Sequence, residues 1–326
     1  MQRILDPAQI EGFAQASIPR LKLADAARVF AQRAARLRRL SEQHAIGEYL
    51  ALMAAVCEAQ QYALDTLGAA ARAGSAGAMT EARHRLAQAR EHGMPLLPAS
   101  GWPRDGRWRD ALQELTRRIA PLAGFPATVR TLCERLASAD TAVLEEQADR
   151  LLGGGSETAD VEAAPFLMAA LQVYWVHLAN TLAAEEAARV AAGHGAGAAE
   201  ATPGLCPVCG TLPVASIVRA DPQHQGYRYL HCGLCASEWH LVRIKCSHCL
   251  ATEGIRYHFI AGASDAVRAE SCQSCRTYRK ILYQEKDVEA EPLADDLASL
   301  ALDLLMSAEG YQRATSNPLL WQGSRD

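Results

Sequence analysis

Aromatic residues are scarce, at 6% of a 326-residue chain. A chain poor in aromatics and rich in alanine is expected to be largely helical. An excess of one charge is also missing. The 33 Lys+Arg and 37 Asp+Glu leave a formal charge of −4, which argues against bulk attraction to nucleic acid or anionic membrane. The start, MQRILDPAQIEGFAQASIPR, has no basic region leading into an apolar run, so no secretory leader is expected. One uncharged run reaches spanning length: APFLMAALQVYWVHLANTLAA, Ala164 to Ala184. Gln172, His177 and Asn180 interrupt it, and Glu162, Glu185 and Glu186 flank it. Those polar groups are costly in lipid, so a buried core helix is expected rather than a membrane span. Cysteine is thin in the first 200 residues. Only Cys57 and Cys133 occur there, each alone in an apolar segment and read as a small buried hydrophobe.

What is present divides the chain by texture. Residues from about 20 to 190 read as helices. In LADAARVFAQRAARLRRL, Leu23, Phe30 and Leu37 recur seven apart, with Ala26, Ala27 and Ala34 on the same stripe. That is a helical apolar face. Arg28, Arg33, Arg36 and Arg39 lie opposite and are expected to form a solvated face. The competing reading is a dock for an acidic partner surface. A second helix is expected over Ile46 to Leu67. The segment Met94 to Gly106, with three prolines and two glycines, reads as a rigid loop. Helices resume with WRDALQELTRRIA and PATVRTLCERLA. Asp140 reads as the N-cap of TAVLEEQADRLL, which stops at a run of glycines. The small, Gly-rich stretch from Ala191 to Gly204 reads as a linker. After it come short β-like runs and cysteines. A final helix is expected in PLADDLASLALDLLMSAEG, with Asp295 and Asp296 as helix-start residues rather than a catalytic pair.

The remaining eight cysteines form four C-x-x-C pairs: Cys206/Cys209, Cys232/Cys235, Cys246/Cys249 and Cys272/Cys275. The gaps between pairs are 22, 10 and 22 residues, and adding 40 to the first two pairs gives the last two. This is an internal repeat. Four pairs can make two sites sequentially, crossed or nested. After Cys209, PVASIVR, DPQHQG and YRYLHC read as strand, turn, strand. GIRYHFI, AGASDA and VRAESC repeat the design. A hairpin returns its ends to one place, which favours sequential pairing over the crossed and nested alternatives. ASEWHLVRIK then becomes the third strand of the first ribbon and the hinge to the second, with RTYRKILYQE as its counterpart.

In a reducing compartment such pairs indicate metal or redox chemistry rather than structural disulfides. Four soft sulfurs select zinc or iron, and a saturated site leaves no position open for hydrolysis. No catalytic residue is expected. CPVCG has the Pro and Gly of a rubredoxin knuckle, which CGLC, CSHC and CQSC lack, so the metal stays open between iron and zinc. His231, His240 and His248 lie near the sulfurs but are read as neighbours or surface residues, since eight cysteines complete two sites. Tyr227, Tyr229 and Trp239 are read as packing residues rather than base-stacking ones. From Gly204 to Lys280 there are nine basic and five acidic side chains. Eight thiolates with two divalent ions would bring the module near neutral, which weakens a nucleic-acid reading.

The chain resembles the formate dehydrogenase accessory protein family, FdhE. The residues that carry the resemblance are CPVCGTLPVASIV, GYRYLHCGLCASEWHLVRIKCSHC, AESCQSCRTYRKILYQEKD and ADDLASLALD, with support from APFLMAALQVYW and EGYQRATSNPLL. It spans roughly residues 20 to 320 and implies an iron-associated, cytoplasmic, non-catalytic maturation factor. Such a factor would contact the catalytic subunit of respiratory formate dehydrogenase before export. By position, it implies Cys206, Cys209, Cys232 and Cys235 as ligands of one ion, and Cys246, Cys249, Cys272 and Cys275 as ligands of a second. The fold expected is α+β: a helical domain over 1–190, a linker over 191–204, a four-cysteine ribbon over 205–244, a second over 245–288, and a C-terminal helix and tail over 289–326. The two ribbons are expected to be rubredoxin-like or zinc-ribbon modules in tandem. The competing classes are a rubredoxin-like electron-transfer protein, a nucleic-acid-binding ribbon protein and a thiol–disulfide oxidoreductase.

Overall fold

The computed structural model describes residues 20–71, 92, 94–153, 160–191, 204–220, 225–262 and 264–320. The linker expected over 191–204 lies outside them except for its two ends. Among the described residues, the first layer holds the helices α1 (Val29–Ser41), α2 (Gly47–Ala71), α3 (Arg107–Ile119), α4 (Ala127–Ala137), α5 (Thr141–Gly153) and α6 (Ala164–Ala191). The stripe on α1 behaves as its spacing predicts, with Phe30, Ala34 and Leu37 buried. The helix starts later than the apolar pattern. Leu21–Lys22 is drawn into a short strand, and Asp25 makes a turn by accepting from Ala27 N–H at 3.1 Å.

The helix α6 is the central rod. Trp175, Leu171 and Val173 are fully buried, and each such side chain contributes about 1.5–3 kcal/mol on leaving water. The polar residues that interrupt its run all have partners. Gln60 Nε2 donates to Gln172 Oε1 at 2.8 Å, His177 lies 3.5 Å from an Arg107 nitrogen, and Asn180 Nδ2 donates to Val176 O at 2.9 Å. Among the described residues, no helix is long and apolar enough to cross a membrane.

Among the described residues, eight strands make one sheet: β1 (Leu21–Lys22), β2 (Pro213–Val218), β3 (Arg228–Cys232), β4 (Glu238–His240), β5 (Ile255–His258), β6 (Val267–Cys272), β7 (Thr277–Tyr283) and β8 (Gln312–Arg313). Their order is β1-β4-β3-β2-β7-β6-β5, with β8 on β7. Each ribbon is a three-stranded antiparallel meander, β2-β3-β4 and β5-β6-β7. The two fuse because β2 pairs β7 in parallel, Ser216 opposite Ile281 and Val218 opposite Tyr283. The stretch expected as a third strand and hinge keeps strand geometry only over Glu238–His240, and the connection to the second ribbon runs beside a continuous sheet.

The C-terminal helix is two helices, α7 (Pro292–Ala298) and α8 (Leu300–Ala308). Glu291 caps α7 by accepting from Leu293 and Ala294 N–H. The break falls at Ser299, where a buried cation sits on the helix carbonyls. Buried Lys280 donates to Asp296 O at 2.7 Å and Ser299 O at 3.0 Å, alongside backbone bonds from Ser299 and Leu302 N–H to the same carbonyls. Asp295 lies in the first turn of α7, as expected of a helix-start residue, and both it and Asp296 are buried ion-pair partners.

The arginine face of α1 also departs from expectation. Arg33 and Arg36 are buried, not solvated. Arg33 pairs with Glu291 at 2.9 Å, and Arg36 with Asp287 at 2.6 Å and Asp295 at 2.5 Å. Arg39 pairs with Glu289 while staying exposed, and Arg28 is exposed beside Asp25. The acidic surface that this face docks belongs to the chain itself.

Candidate metal centres

Each C-x-x-C pair sits on a knuckle, a tight turn that exposes both sulfurs on one side. The first opens after Gly204 and closes when Gly210 N–H donates to Cys206 O at 2.8 Å. In the third, Leu250 N–H does the same to Cys246 O at 3.0 Å, and in the fourth Arg276 N–H to Cys272 O at 3.0 Å. The residue after the second cysteine is left-handed in all four: Gly210 (φ 75°), Ala236 (φ 53°), Leu250 (φ 64°) and Arg276 (φ 56°). Three of these carry a side chain into a region that costs about 1–2 kcal/mol. The same turn aims backbone N–H groups at sulfur. Leu234 and Cys235 donate to Cys232 Sγ at 3.3 and 3.4 Å, and His248 and Cys249 to Cys246 Sγ at 3.4 and 3.5 Å.

The structure groups the pairs sequentially. Cys206 Sγ lies 3.5 Å from Cys235 Sγ, and Cys209 Sγ 3.3 Å from Cys232 Sγ. Cys246 lies 3.8 Å from Cys275, and Cys249 3.7 Å from Cys272. Within each group of four, all sulfurs fall within 4.8 Å of one another, and all the cysteines are free thiols. A tetrahedral ion with bonds of about 2.3 Å sets its sulfurs roughly 3.8 Å apart, so both groups are sized for one soft ion. In the first group the thiols lie close enough to shift one another. Burial pushes Cys206 and Cys235 well above the usual thiol range. It acts on Cys232 too, but donors from Cys206, Cys209, Cys235 and Thr211 outweigh it and hold that sulfur well below the range. A bound ion would displace the remaining protons.

Three hydroxyls complete the surroundings and were not singled out from the sequence. Thr211 Oγ1 lies 3.2 Å from both Cys209 and Cys232 Sγ, Ser237 Oγ 3.3 Å from Cys235 Sγ, and Thr277 Oγ1 3.0 Å from Cys275 Sγ. The signal was legible. Each follows the second cysteine by two, as C-x-x-C-x-[ST], and only the third knuckle breaks it, with Ala251.

None of the histidines joins a sulfur group among the described residues. His231 is buried and its Nδ1 lies 3.2 Å from Glu238 Oε1. Burial would raise the Glu238 carboxyl, but Arg219 and His231 hold it down at about 2. His240 packs between Tyr227 and Tyr229, and His248 is exposed. Tyr229 and Trp239 are buried in the core, where no base could stack on them.

The ribbons are also tied together by charge. Arg228 on β3, fully buried, donates to Glu270 on β6 at 2.7 Å and to Ser216 on β2 at 3.0 Å. Arg279 on β7 donates to Ser247 in the third knuckle at 3.0 Å and also bonds Pro213 O.

With this geometry in place, comparison with known proteins is specific. Three family descriptions match in turn along the chain: "FdhE, N-terminal" over residues 18–192, "FdhE, central domain" over 205–243 and "FdhE, C-terminal domain" over 244–320. A protein FdhE homolog from Cronobacter sakazakii is 39% identical over 305 residues, 94% of this chain and 90% of that protein. Protein FdhE from Salmonella paratyphi A is 38% identical over the same shares of both chains. The crystal structure of the FdhE protein from Pseudomonas aeruginosa is similar with a TM-score of 0.75 and 37% identity, covering 93% of this chain and 99% of that one.

Proposed function

Because the chain belongs to the FdhE family of formate dehydrogenase accessory proteins, which are not enzymes, we propose that it is a metal-binding assembly factor acting on the catalytic subunit of respiratory formate dehydrogenase in the cytoplasm, before that subunit is exported. The observation that carries this reading is the pair of four-sulfur cages, held in one sheet within a chain that matches the family along nearly its whole length. Cys206, Cys209, Cys232 and Cys235 would hold one ion, and Cys246, Cys249, Cys272 and Cys275 a second. Iron is the metal proposed, with zinc as the alternative that the same ligands accept. When bound, iron would supply a one-electron couple and zinc only rigidity. In both cases the protein's part is to supply eight thiolates, direct N–H and hydroxyl donors at them, and fix the sheet that presents them.

The test is anaerobic purification of the tagged chain from cells making formate dehydrogenase, with metal analysis, an absorption spectrum and identification of co-purifying protein. The expected result is two ions per chain, thiolate-to-iron bands, and the catalytic subunit retained. Loss of the subunit from a preparation with both ions bound would defeat the assembly role.

A further inference from the structure

The two cages are not equivalent. We propose that the first is a sealed structural site, whereas the second is a solvent-facing site that exchanges its soft ion with small chelators while the fold stays intact. This rests on the reading of both groups as metal sites. Cys206, Cys209, Cys232 and Cys235 are all buried and belong to the main apolar core. In the second group Cys249 is exposed and Cys275 half-buried.

The helical layer grips the first site at both knuckles. Leu97 N–H donates to Val208 O at 2.7 Å and Ala99 N–H to Cys209 O at 2.9 Å. Leu97 O in turn accepts from Trp175 Nε1 on α6 at 3.0 Å. On the opposite knuckle, Gln172 Nε2 on α6 donates to Gly233 O at 2.6 Å. Among the described residues, no such bond reaches the second site from α1–α6. Its knuckles are held by their own strands, by Arg279 at Ser247, by Arg228 of β3, which donates to Lys245 O at 3.1 Å, and by the segment after α8, where Arg276 donates to Glu309 O at 2.9 Å. The knuckle lacking a hydroxyl, with Ala251 in place of Thr or Ser, is also the one that carries the exposed cysteine, Cys249.

Ligand exchange at a saturated thiolate site needs an incoming donor to reach the ion. At the first site that requires separation of the sheet from α6, which is opening on the scale of the whole fold. At the second it requires displacement of Cys249 alone, a local opening. In the step itself, metal–sulfur bonds break, bonds to the chelator's nitrogen and oxygen donors form, and the freed thiolates take protons from the buffer. No electrons move.

The test uses the full chain loaded with two zinc ions and challenged with excess 4-(2-pyridylazo)resorcinol in native buffer, with circular dichroism followed in parallel. One equivalent should leave in a fast phase and the second on the order of 100-fold more slowly, together with loss of structure. Iodoacetamide applied after the fast phase should modify Cys249 and Cys275 before Cys206 or Cys232. Release of both ions at one rate, or alkylation of the first group first, overturns the inequality while leaving two metal sites. A chain that binds fewer than two ions overturns the site reading and the inference with it. The variant Cys246→Ser with Cys249→Ser should lose the fast phase and keep the slow one. The wild-type kinetics decide the matter if that variant does not fold.

Discussion

Asp296 holds two cations in place from within the core. It is fully buried, accepts from Asn317 Nδ2 at 2.7 Å and pairs with Arg313, and Lys280 lies 3.6 Å away. Burial alone would raise its carboxyl, but Arg313 and Lys280 outweigh it and hold the group below the ordinary carboxylate range. A carboxyl depressed in the fold adds stability above its unfolded value of about 4, and that stability is lost as pH falls below it. Asp296→Asn is therefore expected to cost about 3 kcal/mol at pH 7, the price of leaving buried cations short of a partner. The gap to the wild type should narrow as pH drops below the carboxylate range, read as the difference in urea midpoint at each pH. A gap that holds constant with pH would assign the loss to packing. Nothing in PLADDLASL separates such an aspartate from a solvated helix-start residue, because Lys280 and Arg313 come from a strand before it and a tail after it.

The knuckles set the geometry at the scale of elements, and glycine is needed at one of them. Gly210 has φ 75°, and a Cβ there would meet Pro95 Cγ at 2.8 Å. Gly226 has φ 79° and open space around it. Gly210→Ala should cost about 2 kcal/mol or more, from strain and clash together, and Gly226→Ala about 1 kcal/mol from strain alone. Equal losses on thermal melting would show that the Pro95 loop yields freely. Elements of this kind divide by how local their causes are. The helices were readable because their apolar stripes repeat within the segment. The cysteine grouping was readable because a hairpin brings its own ends together. The parallel pairing of β2 with β7 was not, since PVASIV is buried along its whole length and gives no alternation to say which edge meets what. The burial of Arg33 and Arg36 was not readable either, because their acidic partners lie some 250 residues further on.

At the scale of the whole molecule, the described residues form two apolar cores of unequal size. The larger joins the helices, the first ribbon and α7. The smaller contains Ala269, Tyr278, Leu302, Met306 and Tyr311, joining the second ribbon to α8. Strand β7 spans both, with Leu282 in the larger and Tyr278 in the smaller, so the sheet crosses the boundary that the cores respect. A small core loses to chain entropy first, and the unit it supports opens without the rest. Amide hydrogen exchange on the two-ion protein should therefore show β5, α8 and the third knuckle opening well below the free energy of global unfolding. Amides of β2, β3 and α6 should exchange only through the global event. Removing the second ion should lower protection in β5 and β6 and leave β3 and α6 unchanged. The buried Arg228–Glu270 pair is a contrary force, because with the β2–β7 pairing it fastens the first ribbon to the second. If that pair dominates, protection falls together in both ribbons when the second ion leaves, and the molecule opens as one unit.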